Sequence, residues 1–193
     1  MSVKHTKNNL IQKNLSVEII KNKDLTNKHK MIINHARVSH WGEAQRKDFS
    51  KDYEPNTLWF FIKNKGNVVS LGGIRPIKVR YLGKNLHIGG ICSTISMEKR
   101  KGYGKIMISY MIDYSLKTGK TIIGFTGEKN LKIFEKTGLR VKKDFIRRFV
   151  WTKPNGEPFY DNDGHGVYYE GKDRFITKLL KTKNYVYINV IHW

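Results

Sequence analysis

The chain has 193 residues, of which 39% are hydrophobic and 12% aromatic, enough for one domain with a buried core and too many for wholesale disorder. Its net charge of +21 indicates a surface that attracts nucleic acid or a polyanionic cofactor, although 28 Lys against only 9 Arg is also typical of AT-rich codon usage. The single cysteine, Cys92, excludes an intramolecular disulfide and a cysteine-based zinc site.

In chain order, residues 1–15 come first, and their polar, basic character predicts a mobile arm without the apolar core of a signal peptide. No later apolar run is long enough to span a membrane, so we expect a cytoplasmic protein. The elements predicted after the arm are strands over 16–20, 57–63, 68–82, 86–96, 121–127, 140–153, 167–171 and 184–193, and helices over 24–42, 101–118, 129–139 and 173–181.

Antiparallel hairpins followed by a strand–helix–strand unit predict an α+β sheet protein. We expect residues 16–193 to form a single domain, with a core over 16–153 and a C-terminal extension over 154–193.

A glycine-containing turn, MEKRKGYGK at residues 97–105, lies between a predicted strand that ends at Ser96 and a predicted helix that begins near Lys101. Backbone N–H groups at a helix N-terminus attract anions, and glycine lets phosphate oxygens approach the backbone. The turn lacks the Ser/Thr of a Walker A loop, and Met107 stands where a dinucleotide fingerprint needs its third glycine. An anion-binding turn of another kind is predicted, and a plain basic turn is the alternative.

The turn resembles the signature of the GNAT superfamily of acyl-CoA-dependent N-acetyltransferases, Arg/Gln-x-x-Gly-x-Gly/Ala between the fourth strand and the third helix. KRKGYG matches this signature with Lys99 in place of the usual Arg or Gln, and Arg100 is the alternative for that role. TIIGFTG (121–127) and NLKIFEKTGL (130–139) then follow in the family's order. The resemblance covers roughly residues 16–153.

The resemblance implies a mixed, mostly antiparallel sheet flanked by helices, in which a parallel pair of strands, at 91–95 and 122–125, splays apart to bind acyl-CoA. It also implies acetyl-CoA as the co-substrate. Phe134 stands where the family often has a tyrosine that protonates the departing thiolate, which leaves turnover open. The implied cofactor-binding residues are Ile95 (through its backbone N–H), Lys99, Arg100, Lys101, Gly102, Tyr103, Gly104, Lys105 and Asn130.

The residues that handle the acceptor amine and its proton are marked less clearly. His87 and Ser93 lie on the same side of the predicted fourth strand by its period of two, and they are the candidates for a base or for orienting a water. Tyr103 is a candidate to replace the missing tyrosine hydroxyl.

The turn-rich acidic loop and the chain end are candidates for binding the acceptor, through Glu157, Asp161, Asp163 and Trp193, with His165 close by in sequence. This tail is similar to that of aminoglycoside 2′-N-acetyltransferases, although Gly90 and Ile91 stand where those enzymes have an acidic residue. DNDGHG is not a calcium loop, because Lys172 falls where a bidentate Glu is required, and we expect no metal.

Several functions stay open. The first is an N-acetyltransferase for an amine that the sequence does not name, with an aminoglycoside-type enzyme as a special case. The second is a nucleic-acid-binding or nucleic-acid-modifying protein, since KHTKNN and RVKKDFIRRFVW combine basic residues, in the second case interleaved with aromatic ones. The third is a catalytically silent acyl-CoA binder. We expect a monomer or homodimer.

Overall fold

The structure, a computed structural model, describes residues 14–51, 56–153 and 155–188. Most of the predicted basic arm, the end of the last predicted strand and Trp193 lie outside these residues. None of the described helices is long and apolar enough to cross a membrane. The strands are β1 (Leu15–Lys21), β2 (Leu58–Asn64), β3 (Asn67–Tyr81), β4 (Lys84–Ser96), β5 (Ile122–Thr126), β6 (Arg140–Lys142), β7 (Phe149–Thr152), β8 (Pro158–Tyr160), β9 (His165–Tyr169) and β10 (Val186–Ile188), and the helices are α1 (Asn27–Trp41), α2 (Tyr103–Thr118), α3 (Leu131–Glu135) and α4 (Phe175–Leu180).

The long strand β3 organises the sheet. One of its edges pairs with β4, and the other pairs first with β2 and then with β10. The strand order is β6-β9-β5-β4-β3-β10-β7-β8, and β1 adds to β2. The parallel pairings among the described strands are β4 with β5 and β7 with β10. The prediction of a mixed, mostly antiparallel sheet flanked by helices is confirmed.

Helices α1 and α2 pack on opposite faces of this sheet. Along β2, Trp59 and Phe61 pack toward α1, whereas Phe60 and Ile62 pack toward α2, because neighbouring side chains on a strand point to opposite faces. Gly72 on β3 permits the close approach of α2, since a Cβ there would lie 2.8 Å from a methionine sulfur of that helix. The two helices therefore lie on opposite faces of the sheet that contains β4.

The parallel strands β4 and β5 separate after a short contact. Their residue pairs are Gly89 with Ile122 and Gly90 with Ile123, and beyond these the two strands continue without pairing to each other. A bulge in β4 coincides with the separation, and Ser93 within it has a left-handed φ of 49°. All five residues of β5 pair with β9 on the other side, so β5 stays in the sheet. The splayed parallel pair expected from the sequence is present.

The prediction of one long strand over residues 140–153 is wrong. After β6 the backbone turns at Asp144, which has a left-handed φ of 52°, and a 3-10 turn over Phe145–Arg148 precedes β7. The turn buries Phe145 against Phe149, with ring centroids 5.4 Å apart. The predicted helix over 129–139 is also shorter in the structure, since the α-helical residues are those of α3.

The C-terminal segment supplies interior strands of the sheet. β9 lies between β5 and β6, and β10 lies between β3 and β7. Arg148 holds the segment that joins α4 to β10, because its Nη2 donates to the carbonyls of Leu179, Thr182 and Asn184 at 3.1, 2.9 and 2.8 Å. Residues 165–188 therefore belong to the same packed unit as the strands before them.

Asp173 joins the start of β5 to the start of α4. Its carboxylate accepts the backbone N–H of Thr121 at 2.8 Å, the hydroxyl of the same threonine, and the N–H of Phe175 at 3.1 Å. Thr121 is fully buried, so a lost partner there leaves a buried polar group unsatisfied.

We expect Asp173→Ala to lower the free energy of unfolding by about 1 to 3 kcal/mol, because it leaves buried donors without an acceptor. Urea denaturation of the variant beside the parent measures the change. Asp163→Ala, at an exposed position, is the matched control and should change stability by less than about 0.5 kcal/mol. Equal effects of the two substitutions would contradict the role given to Asp173.

Candidate active site

A cleft of about 1460 Å³ opens where β4 and β5 separate. The turn between β4 and α2 borders it on one side, and the C-terminal half of α1 with the segment that follows borders it on another. Its lining residues lie within segments 37–47, 91–96, 99–108, 124–127 and 130–137, together with Trp59, Arg75 and Val167.

The glycine turn forms the anion-binding part of this cleft. Gly102 precedes α2 with a left-handed φ of 80°, and no side chain caps the helix there. The first hydrogen bond of the helix runs from the N–H of Ile106 to the carbonyl of Gly102 at 3.2 Å, so the helix does not use the amides between them. A Cβ added at Gly104 would meet its nearest neighbour, on Ser96, at 3.9 Å, which leaves the backbone open to a ligand.

The structure brings together only part of the predicted cofactor set. Lys99, Arg100, Gly102, Gly104, Lys105 and Asn130 line the cleft. Lys101 does not line the cleft. The side chain of Ile95 is buried in the core beneath α1, whereas the role expected of this residue belongs to its backbone N–H and stays a prediction.

Tyr103 points away from the cleft. Its side chain is buried among core residues, and its hydroxyl accepts a hydrogen bond from Asn64 Nδ2 at 2.8 Å. Its backbone belongs to the glycine turn, whereas its hydroxyl lies among the core residues beneath α2.

Ser93 and His87 lie in different surroundings. Ser93 lines the cleft at the bulge and accepts a hydrogen bond from Arg37 Nη1 at 2.5 Å. His87 is exposed, pairs across the sheet with Lys78 and does not line the cleft. Ser93 belongs to the bulge itself, where β4 has an extra residue, so the period of two that runs regularly from His87 breaks at Ser93.

The acidic loop candidates do not line the cleft. Glu157 precedes the edge strand β8, and hydrogen bonding by Asn155, then by Lys153 at 3.2 Å, lowers the pKa of its carboxyl. Asp161 accepts the N–H of Asp163 at 3.0 Å within the loop itself. Trp193 lies outside the described residues.

No described residue that lines the cleft is an aspartate or a glutamate. Glu128, next in sequence to the lining residue Gly127, has its pKa lowered first by a hydrogen bond from Lys143, 2.8 Å away. Across residues 14–51, 56–153 and 155–188, no group of three or more His, Cys, Asp or Glu side chains is arranged to hold a metal ion.

Sequence reasoning missed the residues that α1 and β3 contribute to the cleft. Arg37 donates its Nε to the carbonyl of Gln45 at 2.7 Å, reaches Ser93, and lies 5.5 Å from the ring centroid of Trp41. Arg75, opposite Gly90 in the sheet, also lines the cleft. The one available signal was the spacing of Arg37 and Trp41, four residues apart on a predicted helix.

The segment RVKKDFIRRFVW does not form a surface for base stacking. Its aromatic residues Phe145, Phe149 and Trp151 are at most 2% exposed, and they belong to the core beneath β7 and α4. The aromatic side chains that suggested nucleic-acid binding in this segment are therefore inaccessible to bases.

Comparison with known proteins identifies solved structures that share this fold. No family model matches the chain, and no curated protein matches it. Solved structures do match, among them the GNAT family N-acetyltransferase YhbS from Escherichia coli in complex with CoA, with a TM-score of 0.59, 12% identity, and coverage of 91% of this chain and 90% of that one. The fold is that of the GNAT acetyltransferases.

Two further structures share the GNAT fold with this chain. Escherichia coli ElaA matches with a TM-score of 0.55, 11% identity, and coverage of 81% of this chain and 99% of that chain. An acyl-CoA N-acyltransferase from Pseudomonas aeruginosa matches with a TM-score of 0.51, 10% identity, and coverage of 79% and 97%. The resemblance first noted in the glycine turn is thus accompanied by a shared fold over 79 to 91% of the chain.

The glycine turn gives a variant whose effects on stability and binding have opposite signs. We expect Gly104→Asp to keep or raise stability, since an acidic residue in the first turn favours a helix, and to weaken the binding of CoA by about tenfold or more through charge repulsion. Calorimetric titration with CoA and a thermal melt measure the two effects.

Gly104→Ala is the matched control, because its methyl group adds no charge and fits the open space. It should bind CoA as the parent does. Unchanged CoA binding in Gly104→Asp would show that the phosphates do not lie at this turn.

Proposed function

We propose that the protein is an N-acetyltransferase that moves an acetyl group from acetyl-CoA to an amine. The observation that carries the proposal is the continuity of the site: the gap between β4 and β5 leads directly into the glycine turn at the start of α2. A long ligand with an anionic end and a hydrogen-bonding arm fits such a cleft.

The residues present fit coenzyme A. The amides of the glycine turn, with Lys99, Arg100 and Lys105, would hold its phosphates, since unpaired amides at a helix N-terminus and cations both favour an anion. Lys136 lines the same cleft from the segment after α3. The backbone of β4 and β5 beyond Gly90 and Ile123 would hold the pantetheine arm, because those parts of the strands do not pair with each other.

The bound acetyl thioester supplies the activated acyl group. Its transfer forms a C–N bond, breaks the C–S bond and moves one proton from the amine nitrogen to the thiol sulfur. The amine must be neutral when it attacks. Cations lower the pKa of an ammonium group beside them. Among the described lining residues, His40 could receive the proton, and Ser93 is one of the hydroxyl groups that could relay it.

Phe134 lines the cleft half-buried, at the position where the resemblance leads one to expect a tyrosine. A thiol has an ordinary pKa of about 8.5, so a thiolate leaves without full protonation and takes its proton from water afterwards. Turnover therefore does not require a hydroxyl at this position.

We expect acetyl-CoA and CoA each to stabilise the protein by about 2.7 kcal/mol at a free concentration of 100 times Kd, and tripolyphosphate to do so much less. Release of free thiol from acetyl-CoA in the presence of a panel of primary amines tests the transfer itself. Equal stabilisation by all three anions would mean that the turn is part of a generally basic surface, and it would contradict the proposal.

The Phe134→Tyr variant distinguishes an active enzyme from a protein that binds acyl-CoA without turnover. We expect the parent to acetylate at least one amine and the variant to change kcat by less than about threefold, because protonation of the thiolate is not limiting. Single-turnover thiol release from both proteins measures this. A silent parent together with an active Phe134→Tyr variant would identify a binder that has lost its catalytic acid.

A further inference from the structure

We propose that an exposed face of the sheet outside the cleft binds single-stranded nucleic acid. It is formed by outward side chains of β4, β3, β10 and β8, and β7 lies between the last two of these strands. We call it the tyrosine face, and it consists of Lys78, Arg80, His87, Tyr160, Tyr185 and Tyr187. None of these side chains lines the cleft, so the inference is independent of the proposed acetyl transfer.

Cross-strand pairing brings an arginine and two tyrosines into one row. Arg80 on β3 pairs with Tyr187 on β10. Val150 on β7 pairs with Tyr187 on one side and with Tyr160 on the other. Directly paired residues point to the same face of a sheet, and at about 4.8 Å per strand this row spans about 14 Å.

The two faces of this part of the sheet differ in character. On β3, Ile77 and Val79 are buried in the core that α4 shares, whereas the neighbouring Lys78 and Arg80 are exposed. His87, paired with Lys78 across the sheet, is exposed as well. One face of these strands therefore belongs to the core, and the other presents cations and aromatic rings to solvent.

Three tyrosines supply the aromatic rings. Tyr160, Tyr185 and Tyr187 are 51%, 46% and 41% exposed. The ring centroids of Tyr160 and Tyr185 lie 5.9 Å apart, so the rings are grouped rather than scattered. Two or three bases stacked on aromatic side chains of an exposed sheet is the way in which RRM domains bind single-stranded RNA.

The cations of this face are placed to contact a phosphate backbone. The guanidinium of Arg80 lies 5.2 Å from the ring centroid of Tyr187. Lys78 and Arg80 have no ion-pair partner among the described residues, and the strands β3, β4, β7, β8 and β10 contain no aspartate or glutamate. Cations that follow a backbone beside rings that stack its bases are the general means of binding a single strand.

A second copy of the chain is the other partner that exposed rings could accept. In a two-fold dimer the same face meets itself, so Lys78, Arg80 and His87 of the two copies would approach one another. Like charges across an interface are unfavourable, and the net charge of +21 adds to the repulsion. Charge complementarity therefore favours a polyanion. A single strand fits better than a duplex, because its bases are free to stack on the tyrosines.

The test measures binding of the full chain to fluorescent oligonucleotides by anisotropy at about 0.15 M salt, where attraction to the general basic surface is screened. The probes are RNA and DNA strands of the same sequence and about 12 nucleotides, within the site sizes usual for single-strand binders. Their duplexes, and an abasic strand that keeps the phosphates but has no bases, are the controls. We expect at least one single strand to bind about tenfold or more tightly than both controls.

Tyr187→Leu should weaken binding of the single strand by about fivefold or more, the loss expected for one stacked base, and leave the abasic strand unchanged. Tyr160→Leu should act in the same direction and is the second variant if Tyr187→Leu fails to fold. Tyr110→Leu is the matched control, since it removes a ring that is 38% exposed on α2, and it should change neither.

Arg80→Gln should weaken binding of the single strand and lower the slope of log Kd against log salt concentration by about one, as expected for the loss of one phosphate contact. Lys117→Gln removes an exposed cation from the end of α2 and should leave the affinity unchanged. The Kd for CoA should be the same in all of these proteins, because none of the substituted residues lines the cleft.

Equal affinity for the single strands and the abasic strand, or no binding of any strand, would overturn the inference. Unchanged binding in folded Tyr187→Leu and Tyr160→Leu would do the same. A parent that sediments as a dimer, and that Tyr187→Leu converts to a monomer, would assign this face to contact between copies of the chain and also overturn it.

Discussion

The separation of β4 from β5 is the constraint on which the rest of the structure depends. Backbone groups that leave a ladder must find other partners or face solvent, so a sheet tolerates such a gap only where something fills it. Here β4 stays paired with β3 along its other edge, and β5 stays paired with β9. Each strand keeps a ladder on its other side, interrupted in β4 by the bulge at Ser93, and the cleft lies between these two ladders.

This arrangement gives the C-terminal segment a direct part in building the cleft. β9 is the strand that secures the outer edge of β5, and Asp173 ties the residues after β9 back to Thr121, immediately before β5. α2 is anchored on the other side through the close contact at Gly72. The glycine turn is therefore positioned by α2, which packs on β2 and β3. The opposite wall, β5, is positioned by β9 and Asp173, which lie more than fifty positions after the turn in the chain.

The sequence predicted what local chemistry determines. The glycine turn, α2 and the parallel strand β5 follow from residue types in a short window, and the structure shows them in place. The prediction of a single strand over 140–153 was wrong because tertiary contacts determine the burial of Phe145 and the left-handed turn at Asp144. The alternation of residue types along the sequence does not reveal such contacts. The sequence contained no signal for Arg75, and the spacing of Arg37 from Trp41 did not indicate a cleft, because only folding brings α1 and β3 together.

The basic residues fall into two groups: lysines spread over the surface, and a few cationic side chains that line the cleft. All 9 arginines lie in the described part of the chain, and three of them line the cleft, namely Arg37, Arg75 and Arg100, whereas only four of the lysines that the structure describes do. Codon usage rich in A and T raises the number of lysines everywhere, but it does not direct arginines to one cavity. Arginine is the side chain that recognises paired anionic oxygens with a fixed geometry. The high net charge is thus mostly a property of the surface, and the arginines in the cleft are one part of it that we connect with binding.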